Sequence, residues 1–197
     1  RDEIGLIDDA IQFEKPLLGF CLGAQLIGEA FGTTTERSPH KEVGVFPITL
    51  TPEGERDPLL TGLPDHFPVV HWHNDMPGLT PEAKVLATSE GCPRQIVRYS
   101  PIAYGFQCHP EPRFADVELM MRHCEGDLAP GTYVQPRDKF LDANFAANPY
   151  VKEKAEYVVG GMTSYRFLFR NADGTYAYTS YAFDKESGMF TPNPTGP

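Results

Sequence analysis

Ile4, Ile7 and Ile11 recur at helical spacing, with Asp8, Asp9 and Gln12 polar between them. That pattern predicts an amphipathic helix over residues 3–14, broken by Pro16. "LLGF" (17–20) reads as a short buried strand. Leu22, Leu26, Ile27, Ala30 and Phe31 return to helical spacing, and Gly32 is placed to cap that helix at its C-terminus. "VGVFPITL" (43–50) reads as a strand whose Pro47 marks an edge or a bulge. "FPVVHW", "KVLATS", "QIVRY" and "IAYGFQC" read as further short strands, and "FADVELMMRHC" as a helix. Strands alternating with helices in the first part predict an α/β domain.

The pattern changes after about residue 129, where weak helical periodicity is interrupted by Pro136 and Pro149. In "SYRFLFRNADGTYAYTSYAFD", aromatic residues alternate with small or polar ones around "NADG" (171–174), predicting a β-hairpin. The Pro-rich tail "TPNPTGP" reads as extended. The expected organisation is one domain over 1–128 and an extension over 129–197.

Composition narrows the function classes. A net charge of −10 repels phosphate backbones, so nucleic acid is not an expected partner. No apolar run approaches the roughly 20 residues that span a bilayer, so no membrane is expected either. The chain does not open on a basic-then-apolar signal segment. Cys21, Cys92, Cys108 and Cys124 form no C-x-x-C pair, which fits reduced thiols and a cytoplasmic location.

"GFCLG" sets Cys21 between Gly19 and Gly23, the G-x-C-x-G form of a nucleophile elbow. A strand turning sharply into a helix needs small neighbours there. The helix N-terminus then favours the thiolate, and the Leu22 N–H is placed to bind an oxyanion. The alternative is a structural cysteine in a buried strand–helix junction. "FQCHPE" offers His109 as the base and Glu111 as the group that orients it; the alternative is a solvated strand end. "HWHND" on a strand would put His71, His73 and Asp75 on one face, a possible metal-ligand set. Its alternative is a buried, hydrogen-bonded histidine in a segment that shapes a pocket. Cys92, Cys108 and Cys124 read as structural, Cys108 facing away from His109.

Together "GFCLGAQ" (19–25), "HWHND" (71–75) and "FQCHPE" (106–111) resemble the class I, triad-type glutamine amidotransferases. The likeness is to stand-alone GMP synthase-like domains and covers about residues 3–125. It implies a flavodoxin-like three-layer α/β/α sandwich with a mostly parallel sheet. It implies a triad of Cys21, His109 and Glu111 that hydrolyses the side-chain amide of glutamine or a γ-glutamyl compound through a γ-glutamyl thioester. Gln25 matches the family glutamine that lines the pocket. The backbone at Trp72 and His73 matches the segment that holds the substrate's α-amino and α-carboxylate groups, with Gly19 and Gly23 at the elbow. The class needs no metal or other cofactor. The expected partners are a small-molecule substrate and either a synthase that accepts ammonia or a second copy of the chain. A γ-glutamyl peptidase without ammonia transfer, and a non-catalytic amidotransferase-like fragment, are the alternatives.

The sequence departs from that family in two places. Members carry the first strands and a Gly-rich loop ahead of the nucleophile, the loop giving a second oxyanion donor. Neither precedes Cys21 here, so the expected fold is an N-terminally truncated sandwich. Residues from about 129 onward have no counterpart in the resemblance; the aromatic hairpin could cover a sheet edge, mediate dimer contacts or narrow the substrate entrance.

Overall fold

The computed structural model describes residues 2–112, 114–140, 164–170, 176–184 and 189–192. Helix α1 (Asp2–Gln12) leads through a turn into β1 (Leu17–Phe20) and α2 (Leu22–Ala30). Gly32 follows α2 at φ 85°, the left-handed cap its position predicts. Then come β2 (Glu36–Leu50), α3 (Pro52–Glu55), β3 (His66–Met76), β4 (Lys84–Thr88), β5 (Ile96–Ser100), β6 (Ala103–Phe106) and α4 (Phe114–His123). A 3-10 turn (Glu125–Leu128), β7 (Tyr133–Val134) and α5 (Arg137–Phe140) continue the chain.

The strands form one sheet of order β1-β6-β5-β4-β2-β3, with β7 added to β2. The expectation of a mostly parallel sheet is corrected here. β1–β6 and β2–β7 are parallel, while β2–β3, β2–β4, β4–β5 and β5–β6 are antiparallel. The reason is in the connections. Parallel neighbours need a long crossover, usually a helix, whereas the paired strands β4, β5 and β6 follow one another through short turns. The sheet also curls: His109, just past β6, bridges back to Val70 of β3.

The expected edge or bulge near Pro47 is seen as a pairing between two prolines, Pro47 and Pro68, with a bulge earlier in β2 between Arg37 and Glu42. The Gln135 side chain serves the outer side of β2 there, accepting from the Val45 N–H and donating to its carbonyl, both at 2.9 Å.

Apolar side chains pack on both faces. Ile27 of α2 and Ile7 of α1 cover Val97, Tyr99 and Ala103. Ile96, Tyr104 and Phe106 point the other way, into a core with Leu50, Leu60 and Leu86. Val117 and Met121 of α4 pack with Val43, Val70 and Phe140. Among the described residues no helix is long and apolar enough to cross a membrane.

The predicted hairpin appears as β8 (Ser164–Arg170) paired antiparallel with β9 (Tyr176–Asp184), in register Arg170 to Tyr176. Its "NADG" turn lies outside the described residues. A third strand, β10 (Met189–Pro192), adds to β9 and takes in the start of the Pro-rich tail. Pro149 and the segment around it also lie outside the described residues.

Candidate active site

β1 ends at Phe20 and α2 begins at Leu22, so Cys21 alone makes the turn. Its backbone sits at φ 49° and ψ −108°, a positive φ that non-glycine residues rarely adopt. Three hydrogen bonds hold it there. Its N–H donates to the Phe106 carbonyl (2.7 Å), and its carbonyl accepts from the N–H groups of Ala24 (3.1 Å) and Gln25 (3.3 Å). A Cβ on Gly19 would lie 2.4 Å from the Gly23 carbonyl carbon and oxygen and 2.8 Å from the Ala24 nitrogen. Strand and helix therefore touch backbone to backbone behind the elbow. Gly23, by contrast, faces open space. The Leu22 N–H is the first amide of α2, one of the end groups a helix leaves for an outside acceptor.

Parallel pairing of β1 with β6 sets Phe20 beside Phe106, so the chain leaves β6 next to the elbow. The His109 N–H then donates to the Val70 carbonyl (2.7 Å). Nδ1 of His109 is 2.6 Å from Oε1 of Glu111. Burial works against a proton on the ring. Hydrogen bonds to Cys21 and Glu111 outweigh burial, raising the His109 pKa to about 10. The ring lies between a sulfur and a carboxylate, a setting that favours its protonated form.

The Trp72 carbonyl oxygen lies 3.8 Å from Cys21 Sγ. Its indole N–H donates to Asp127 Oδ2 (3.0 Å), and its ring centre is 6.0 Å from that of Phe140. Gln25 Nε2 donates to Gln107 Oε1 (3.0 Å), and Gln107 Nε2 is 3.6 Å from Cys21 Sγ. Cys21, Leu22, Gly23, Gln25, Trp72, His109 and Glu111 are thereby gathered at one place, with Gly19 behind it. The His73 side chain turns the other way, into a buried polar cluster.

That cluster decides between the two readings of "HWHND": His71 and His73 are buried with ring nitrogens at backbone carbonyls, as the second has it, and Asp75 does not join them. Asp75 is paired with Arg37 (3.0 Å). The carboxylate that meets the histidines is Glu42, because the bulge in β2 sets Glu42 directly across from His73. Glu42 Oε2 is 3.1 Å from His73 Nε2 and 3.5 Å from His71 Nδ1. These three ligand atoms lie within 4.8 Å of one another, as a metal set would. Gln95 Nε2, however, is 2.6 Å from Glu42 Oε2 and 3.2 Å from His73 Nε2. An amide donor already points between them, and a cation would require that amide to turn.

Cys92 and Cys108 are buried, as expected of structural residues, and burial pushes the Cys92 thiol up. Cys124 is exposed, contrary to expectation, at the start of the 3-10 turn. Glu42, Ser89, Gln95 and Gln107 do not stand out in the sequence. The one signal for Glu42 is a charged residue heading the apolar run "VGVF".

Residues 1–117 match the family described as glutamine amidotransferase class-I. The chain belongs to that family. This chain is 52% identical over 129 residues to the glutamine amidotransferase-like protein YfeJ of Salmonella typhimurium, covering 66% of this chain and 54% of YfeJ. It is 36% identical over 108 residues to a glutamine-hydrolyzing GMP synthase subunit of Pyrococcus abyssi, covering 54% of this chain and 56% of that protein. Its fold is similar to a solved glutamine amido transferase from Methylobacillus flagellatus, with TM-score 0.66 and 27% identity over 79% of this chain and 66% of that one. The chain spans about half the length of these two curated relatives.

Proposed function

We propose that this amidotransferase hydrolyses the side-chain amide of glutamine or of a γ-glutamyl compound, with Cys21 as nucleophile, His109 as acid and base, and Glu111 orienting His109. The observation that carries the reading is the strained Cys21 turn facing a His109 whose far nitrogen is held 2.6 Å from Glu111. Family membership supports the reaction class.

In this mechanism Cys21 attacks as the thiolate, its proton having passed to His109. Sγ attacks the amide carbonyl carbon, and the π pair moves onto oxygen. The Leu22 N–H donates to that oxyanion. Collapse re-forms the carbonyl, breaks the C–N bond, and passes the His109 proton to the leaving amine. A γ-glutamyl thioester remains. Neutral His109 then takes a proton from water as the water oxygen attacks the thioester carbon. The second collapse returns the pair to Cys21 and releases the acid. Gln25 and the backbone at Trp72 and His73 bind the amino-acid end, and Gly23 leaves room for it.

The relatives named as glutamine-hydrolyzing GMP synthase subunits favour a further step, delivery of the ammonia to a separate synthase protein. We assign 1–128 to the amidotransferase-like domain and 129–197 to an extension. The boundary marks the end of the resemblance, since β7 still pairs with β2. Ammonia release from glutamine, and amine release from γ-glutamyl peptides, test the reading with Cys21→Ser as control. Cys21-dependent turnover of either supports it, and turnover unchanged in Cys21→Ser overturns it.

A further inference from the structure

Five side chains form a closed polar cluster behind the strand that faces Cys21. Glu42 lies at its centre, with its side chain 1% exposed. Ser89 Oγ donates to it from 2.7 Å of Oε1 and 3.0 Å of Oε2, and Gln95 Nε2 donates to Oε2 from 2.6 Å. His71 and His73 complete the cluster. The far nitrogen of each imidazole meets a backbone carbonyl: His71 Nε2 is 3.1 Å from the Phe46 oxygen, and His73 Nδ1 is 3.1 Å from the Asp75 oxygen. Both rings therefore turn their remaining nitrogen toward the Glu42 carboxylate. Burial opposes the Glu42 charge, and the neighbouring histidines and the Ser89 hydroxyl outweigh it, holding the carboxyl well below the usual carboxylate range; burial lowers the His71 pKa, and His71 Nδ1, 3.5 Å away, makes no hydrogen bond.

The peptide joining Trp72 to His73 runs between this cluster and the nucleophile. Its carbonyl oxygen is 3.8 Å from Cys21 Sγ, while the next side chain, His73, is anchored on Glu42. The same strand carries His71, held through Nε2 at 3.1 Å from the Phe46 carbonyl, with its Nδ1 3.5 Å from the same carboxylate and without a hydrogen-bond partner. Two fixed points two residues apart leave that peptide little freedom to shift or rotate. A buried carboxylate whose partners bracket one peptide is costly to assemble, and its effect is to fix the peptide's place.

We propose that Glu42 is a positioning residue: through His73 it sets the Trp72–His73 peptide at the distance from Cys21 at which the α-amino and α-carboxylate groups of a glutamine-like substrate are held. This rests on the function proposed above. Glu42 touches neither substrate nor Cys21, so its loss moves recognition of the amino-acid end more than the reactivity of the thiol.

The test is the rate of Cys21 alkylation by two reagents. One is a diazo-ketone analogue of glutamine, which must use the amino-acid site. The other is iodoacetamide, which needs only the sulfur. In Glu42→Gln the concentration of diazo-ketone giving half-maximal rate rises about tenfold, as small misplacements of positioning groups do, while the iodoacetamide rate stays within about twofold. Ser89→Ala, which removes one donor to the carboxylate, moves the same parameter the same way by less; it carries the test should Glu42→Gln melt below assay temperature. Unchanged half-saturation in the folded variants overturns the proposal and leaves the function intact. Equal losses with both reagents overturn it in favour of a general folding role. A stoichiometric divalent metal, whose removal by chelator reproduces the change, overturns it in favour of a metal centre. Wild type that reacts with iodoacetamide but never saturably with the diazo-ketone overturns the function and this proposal together.

Discussion

Glu111 Oε1 stands 2.6 Å from His109 Nδ1, two residues away along an extended turn that begins where β6 ends. The pairing fixes the ring so that its other nitrogen is turned to Cys21. Replacing Glu111 by Gln keeps the shape and removes the charge. Turnover of glutamine or a γ-glutamyl substrate falls about 10²-fold, the scale of a disabled acid–base group, with KM little changed. Steady-state kinetics on the folded variant check this.

The raised pKa of His109 carries a pH signature. Because the folded pKa is above the free value of 6.5, the group's contribution to stability is fully present below about 6.5 and is lost as pH rises through about 10. The melting temperature of wild type relative to His109→Gln therefore falls steadily across that interval and levels off above it. Thermal unfolding of both proteins at a series of pH values measures the difference. A gap that widens with pH contradicts the assignment.

Gly19 and Gly23 separate stability from binding. Gly19→Ala drives a methyl into the Gly23 carbonyl, backbone that cannot swing aside. It destabilises by about 1–3 kcal/mol, as overpacking does. Gly23→Ala meets nothing within 4 Å, so stability changes by less than about 0.5 kcal/mol. Its methyl projects into the space proposed for substrate, so KM rises. Denaturant titration and kinetics on the two variants report both effects.

Phe140 lies beyond the family-matched residues, fully buried against Val43, Val70 and the Trp72 ring. Phe140→Ala costs about 3 kcal/mol or more. Denaturant titration that shows one cooperative transition moved by that amount places residues up to 140 in the same folding unit as the sheet. An unmoved transition contradicts it.

Much of the elbow is legible in the sequence because its constraints are local. Pro16, the apolar "LLGF", and glycines flanking Cys21 define a strand, a turn and a helix without distant partners. His109 and Glu111 are legible for the same reason, two residues apart beside a proline. Strand direction is not, because "KVLATS", "QIVRY" and "IAYGFQC" read the same in either direction; the short turns between them decide. Nor is the partner of His71 and His73. Spacing on one strand points to Asp75, but a bulge in the neighbouring strand delivers Glu42, and a bulge leaves no mark in the hydrophobic pattern. Gln107 is hidden by its place beside the H-P-E tripeptide, where it reads as one more strand residue.

In the proposed reaction Cys21 carries the γ-glutamyl group as a thioester. Incubating the chain with glutamine or a γ-glutamyl peptide, quenching in acid and mapping peptides by mass spectrometry tests it directly. The expected result is a γ-glutamyl mass gain on the peptide containing Cys21, removed by hydroxylamine and absent from Cys21→Ser. Substrate consumption with no adduct on Cys21, or with the adduct on another residue, contradicts it.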